Sequence, residues 1–377
     1  MNEPTAQQPL TTSGVATTAP APAPVLVPAA SARTPLSHAA EAGNEPLVRT
    51  LLTNPQLEIN STDSSGRTPL LWAAEGGHDG IVLMLLTQGA EPDRADTVYG
   101  QTPLSWAAES GHLEVVRLLL RHVVDVNGMD RTRRTALSWA AQNGHEDVVR
   151  LFIGRDGVNV NCRDRAGQTP LCKAAIDGHV GVVQVLLAED RVDVDTKDRV
   201  YRQSPLSWAA EYGHGEVVRM LLERDGVDVN SQDGTDRTPL SHAAEKGRSN
   251  VVQMLLEKGD IEVNMIDDRG QTALFKAAKA GKGVVVRMLL QRKEVVVDCK
   301  DSDHGQSPLS WAAENGHGDV VKMLLESDGV DINSEDHSGR TPLFWAEQYG
   351  QRHVVQMLLE KGAAIKSGIA NYKLELI

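Results

Sequence analysis

Thr102-Pro103-Leu104-Ser105-Trp106-Ala107-Ala108-Glu109-Ser110-Gly111-His112, continued by Val115-Val116 and Leu118-Leu119-Leu120, is the stretch that decides the fold. Thr102 can cap a helix beginning at Pro103, where a missing N–H does no harm, and Gly111 can close it in a left-handed turn. That first helix is about two turns long. Val115, Val116, Leu119 and Leu120 fall at helical spacing and predict a second helix over 114–120. Helices this short are marginal in water, so neighbouring segments must supply their burial. Asp125-Val126-Asn127 through Asp130 to Arg134 carries the residues of a tight β-turn leading into a further copy of the same pattern.

Working outward, the phrase returns ten times, starting at Arg33, Arg67, Gln101, Arg134, Gln168, Gln203, Arg237, Gln271, Gln306 and Arg340. Thr or Ser holds the cap position and Gly the stop in every copy. A fixed period of about 34 residues signals a solenoid, in which each unit covers its neighbour and none can bury its apolar face alone. The expected fold is all-α: about ten helix-turn-helix units with β-turn fingers over residues 33–366. Residues 1–32 hold six prolines among Ala, Thr and Ser and a single charge, Glu3; that composition predicts a disordered tail. Residues 367–377 read as a C-terminal tail that ends apolar at Leu374, Leu376 and Ile377.

The pattern Thr-Pro-Leu-x-x-Ala-Ala-x-x-Gly-His followed by Val-Val-x-x-Leu-Leu resembles the ankyrin repeat. The resemblance covers nearly nine-tenths of the chain. One position departs from it, because the family's usual His after Thr-Pro-Leu is Ser at Ser37, Ser105, Ser138, Ser207, Ser241 and Ser310. The wording Thr-Pro-Leu-Ser-Trp-Ala-Ala and the joining segment Asp225 to Asn230 resemble ankyrin arrays of fungal type, often attached to NACHT-type sensor proteins. The resemblance implies a noncatalytic protein-binding module.

Where a partner would bind follows from helical geometry. At about 100° per residue, Leu104, Ala107 and Ala108 share a stripe, while Trp106 lies roughly 200° from Leu104, on the opposite side. The same position is filled by His38, Trp72, Trp106, Trp139, Lys173, Trp208, His242, Lys276, Trp311 and Trp345, so all six tryptophans stand in one file. In the ankyrin resemblance this file lines the concave groove. Lys173, His242 and Lys276, with Lys246 and Lys279, form a basic band around Trp139, Trp208 and Tyr212. Such a band suits an acidic or aromatic peptide through charge-assisted hydrogen bonds and cation–π contact. The plainer alternative is that each Trp packs against the adjacent unit. A second candidate surface is the row of turn tips carrying Arg131, Arg133, Arg165, Arg199 and Arg202, which would steer an acidic partner. Asp130, Asp164 and Asp198 share those turns, so local charge balance is the competing explanation.

Other classes are disfavoured. With 51 acidic against 38 basic residues the chain carries a formal charge of −13, which argues against nucleic acid. No apolar run is long enough to cross a bilayer. Three cysteines provide no disulfide framework, and together with the absence of a signal-like start they predict a cytoplasmic or nuclear monomer. One His per unit at His78, His112, His145, His179, His214 and His317 cannot converge on a metal, because stacked helices stand about 8–10 Å apart. No phosphate loop or nucleophile motif is present, so neither cofactor nor catalytic residue is assigned. The rival readings are a small-molecule or catalytic groove around Lys173, Trp208, His242 and Lys276, and a sensor fragment of a NACHT-type receptor.

Overall fold

The computed structural model describes residues 33–365, and the tails assigned to 1–32 and 367–377 lie outside them. Twenty helices of seven to nine residues run in ten pairs, with no strand among the described residues. In unit three the pair is Pro103–Ser110 and Leu113–Leu119. First helices stack on first helices and second helices on second helices, so an inner and an outer layer run side by side along the array.

The start of each first helix forms as its sequence dictates. Ten Thr or Ser side chains, such as Thr102 and Ser204, accept the backbone N–H three residues on. The serine that replaces the family's histidine is not left idle. Ser138 Oγ lies 3.1 Å from Thr135 Oγ and Ser105 Oγ 3.3 Å from Thr102 Oγ, so the hydroxyl pairs with its own cap.

Gly111 ends its helix at φ 77°, a conformation open to glycine at no steric cost. Glycine is needed there for a second reason, since a Cβ would lie 2.4 Å from His145 Nδ1 of the next unit. The imidazole sits so close because its Nε2 is bonded to the Glu109 carbonyl at 2.8 Å. His78, His112, His179, His214 and His317 bond the preceding unit in the same way, and Arg248 and Gln351 do it where histidine is missing. The Gly-His pair is thus an inter-unit bolt.

The core is a continuous seam of small and aliphatic side chains. Leu104, Ala107, Ala108, Val115, Val116 and Leu119 are all buried, and their counterparts continue the seam from end to end. Beyond the outer helices, asparagines link consecutive loops. Asn127 accepts from the Asn159 N–H and donates to the Gly157 carbonyl, and Asn161, Asn230 and Asn264 repeat this two-way bridge. Asp195 and Asp298 take that place in two units, and each leaves a buried Oδ1 without a partner. Burial first, then the Asp228 and Asp193 charges, push the Asp195 carboxyl up to about 6 against the pull of Lys197. Asp298 is raised for the same reasons, by burial and by Asp331.

Candidate functional site

The side that carries the file is built from two things, the outward edge of the inner helices and the fingers that fold over it. Each finger begins with an aspartate: Asp63, Asp96, Asp130, Asp164, Asp198, Asp233, Asp267, Asp301 and Asp336, all buried. One carboxylate oxygen holds the finger in shape. Asp130 Oδ1 accepts the Thr132 and Arg134 N–H groups, and Asp198 Oδ1 those of Val200, Tyr201 and Arg202. The other oxygen reaches the file residue of the same unit.

Every tryptophan is tied down in this way. The indole N–H donates to Oδ2 of the finger aspartate in Trp72–Asp63 at 3.2 Å, Trp106–Asp96 at 3.0 Å, Trp139–Asp130 at 3.0 Å, Trp208–Asp198 at 2.8 Å, Trp311–Asp301 at 2.9 Å and Trp345–Asp336 at 3.2 Å. The exceptions to tryptophan obey the same rule. Lys173 Nζ is 3.0 Å from Asp164, His242 Nε2 2.8 Å from Asp233, and Lys276 Nζ 2.5 Å from Asp267. Although burial opposes it, the His242 hydrogen bond, the Thr235 and Arg237 N–H groups and the His242 charge draw Asp233 down to about 2. Only His38, which has no described finger before it, is exposed.

The basic band anticipated along the file is therefore corrected. Lys173, His242 and Lys276 are buried, at 7%, 4% and 3% exposure, with their charges or N–H groups spent on the finger aspartates. Trp72 and Trp208 are buried as well, while Trp106, Trp139, Trp311 and Trp345 are half-buried. The faces of several rings are also occupied. Arg33 and Arg67 lie over Trp72, Arg67 over Trp106, Arg134 over Trp139, Lys279 over Trp311 and Arg340 over Trp345, at 3.5 to 4.4 Å from the ring centres. Burial holds the Lys279 ammonium below the usual lysine value, against the pull of Asp301. The groove expected along the file is closed at Trp72, Lys173, Trp208, His242 and Lys276 and partly covered at the other four tryptophans.

Two of the anticipated inner-helix residues do face out. Tyr212 is exposed and stacks on Trp208, with ring centres 5.9 Å apart. Lys246 is exposed beside Glu211 at 3.5 Å. Lys173, Trp208, His242 and Lys276, grouped above as a possible pocket, each sit against a different aspartate. Two depressions among the described residues lie elsewhere, between the second helices of units eight and nine around Gly283 and Met323, and under the loop at Asp225 and Lys258.

The fingertips are joined to one another by single backbone hydrogen bonds, Arg131 N–H to Tyr99 O, Arg165 N–H to Thr132 O, Arg199 N–H to Ala166 O and Gly234 N–H to Tyr201 O among them. Arg131, Arg133, Arg165, Arg199 and Arg202 are all exposed. The sequence reading had missed their neighbours Tyr99 and Tyr201, which stand edge-on to Trp106 and Trp208 at 5.9 and 5.6 Å. The available signal was length, because the fingers that carry them are one residue longer than their neighbours, Asp96 to Gln101 and Asp198 to Gln203.

A stack of two-helix units with a sealed inner seam and a projecting row of fingers is a repeat scaffold. The family model described as ankyrin repeats in three copies matches residues 23–96, 92–164, 148–233, 225–301 and 293–368, and the chain belongs to the ankyrin-repeat family. Repeats of this family generally mediate protein–protein interaction and are typically noncatalytic. A search of curated proteins finds no match to this chain. No described helix is long and apolar enough to cross a membrane.

Proposed function

We propose that the chain is a noncatalytic protein-binding module whose partner, a protein or peptide, contacts the concave side through the exposed rim of the inner helices and the fingers. The file of tryptophans underlies this surface as its support. The observation that carries the reading is the division of labour at each finger aspartate. Its carboxylate takes up the polar groups of the file, which leaves rim residues such as Tyr212, Lys246, Asp177 and Tyr349, with the finger side chains, among the exposed groups of that side. An exposed aromatic beside a cation is the composition expected of interface anchors. Nothing in the arrangement favours the small-molecule reading, whose four residues are separately paired and buried.

The test is site-specific photocrosslinking. A Tyr212→benzoylphenylalanine variant should form adducts with a partner protein in cells, and a control at Val284→benzoylphenylalanine, exposed on the outer helices, should not. Equal labelling at both positions, or none at Tyr212, counts against a concave binding face.

A further inference from the structure

The five fingertip arginines stand out once the carboxylates around them are followed to their partners. Asp130, Asp164 and Asp198 share the same turns, yet all three are buried and bonded inward, to Trp139, Lys173 and Trp208. Their charges are not presented to solvent beside the arginines. None of Arg131, Arg133, Arg165, Arg199 and Arg202 forms an ion pair among the described residues. A chain of net charge −13 thus displays an exposed cationic row on three consecutive fingers. On unit eight the equivalent tip residue to Arg131, Arg165 and Arg199 is Asp268.

A second, independent observation comes from the backbone. The left-handed position of the finger is glycine in six units, Gly66, Gly100, Gly167, Gly270, Gly305 and Gly339, all at positive φ. Arg133, Arg202 and, in unit seven, Asp236 occupy that position at φ 65°, 57° and 60°. An L-residue there is strained where glycine is not. Two of the three non-glycine residues at this position belong to the exposed arginine row, and strain kept at an exposed site points to function.

The row also has ends. Val98 and Tyr99 project from the longer finger of unit three and Val200 and Tyr201 from that of unit six, between 41% and 61% exposed. Apolar and aromatic groups therefore bracket the arginines.

We propose that these fingers bind an acidic, extended protein segment laid along the array, with carboxylates on the arginines and apolar side chains against the two Val-Tyr pairs. This rests on the protein-binding reading above and gives it a substrate chemistry. The spacing supports a polyproline-type conformation. Stacked units repeat about every 8–10 Å, and such a chain rises about 9.3 Å in each three-residue turn. A carboxylate at every third residue then meets successive fingers from one face of the segment. Arginine forks suit carboxylates in bidentate geometry. A long polyanion fits less well, because its continuation would meet Asp268 and Asp303 on units eight and nine, both exposed.

The test uses the full chain and a labelled peptide of Pro-Pro-Glu triplets with leucine at each end, compared with its Pro-Pro-Gln counterpart. The glutamate peptide should bind at least about tenfold more tightly at low salt and lose that advantage as salt rises. The double variant Arg133→Gly with Arg202→Gly should weaken it about tenfold while its melting temperature is kept or raised, since glycine suits both positions. Equal binding of the two peptides, or unchanged binding by the double variant, overturns the proposal. So does a twenty-nucleotide oligo-dT or a vesicle with 30% phosphatidylserine that binds as tightly through the same arginines, or a concentration-dependent dimer abolished by the double variant. If the fingers fail while Tyr212 still crosslinks a partner, only the fingertip assignment falls. If both fail, the protein-binding reading falls with it.

Discussion

The inner-helix file and the fingertips carry the same kinds of residue, aromatics and cations, in opposite states. Along the file, Lys173, His242 and Lys276 are buried against aspartates and every indole N–H is bonded. On the tips of units four to six, five arginines are exposed and unpaired among the described residues. One carboxylate produces both outcomes. By turning inward to grip the file, each finger aspartate stabilises the stack and leaves its own turn without a neutralising charge at the surface. Residue type alone therefore says little about which cation is available to a partner; the partner of the nearest aspartate decides it.

If the file is scaffold, breaking it must cost stability. Lys276→Ala leaves Asp267, whose side chain is wholly buried, without its ammonium partner, and should destabilise by about 3–5 kcal/mol. Urea unfolding measures this, and Lys276→Trp, which restores the indole donor found in six other units, should recover most of the loss. A change below about 1 kcal/mol for the alanine variant would place Lys276 outside the scaffold. Trp208→Phe keeps a ring but removes the donor to Asp198, so a cost of about 1–3 kcal/mol is expected. Its peptide binding should be unaltered.

Smaller effects sharpen the same contrast on the outer side. Asp195→Asn should restore the two-way bridge made by Asn161 and Asn230 and stabilise by about 1 kcal/mol at pH 7. The carboxyl of Asp195 is raised to about 6 in the folded chain from an unfolded value of about 3.9. The folded state therefore holds this proton more tightly, and the penalty of the charged form is relieved as pH falls from about 6 to about 4. The advantage of Asp195→Asn should shrink over that window. An advantage independent of pH would mean that the ionised carboxylate is not the cause.

The least effect is expected where strain rather than packing is at issue. Arg133→Gly should leave stability unchanged or raise it by up to about 1 kcal/mol, because relief of the left-handed strain is partly offset by glycine's greater unfolded freedom. A clear loss would show that the arginine supports its finger.

Much of this architecture was readable from residues: the period, the Thr or Ser caps, the Pro starts, the Gly stops and the Ala-Leu-Val seam all appear as written. What a helical wheel does not show is what lies on the far side of a helix. Trp106 does point away from the alanine stripe, but the finger folds onto that side and covers part of it. The pairing with Asp96 spans ten residues and leaves no local periodic signal. A trace was present in the exceptions, since tryptophan gives way to lysine and histidine, both able to supply N–H. The role of the Gly-His pair was legible as structural, whereas its bond to the preceding unit's carbonyl required the stacking to be known.

Nuclear magnetic resonance on chain labelled with nitrogen-15 at tryptophan and arginine side chains, titrated with the Pro-Pro-Glu peptide, separates a covered file from an open row of fingers. The arginine Nε signals that vanish in Arg133→Gly and Arg202→Gly should shift, while the six indole signals hold their positions. Indole shifts without movement of those arginine signals would contradict that separation.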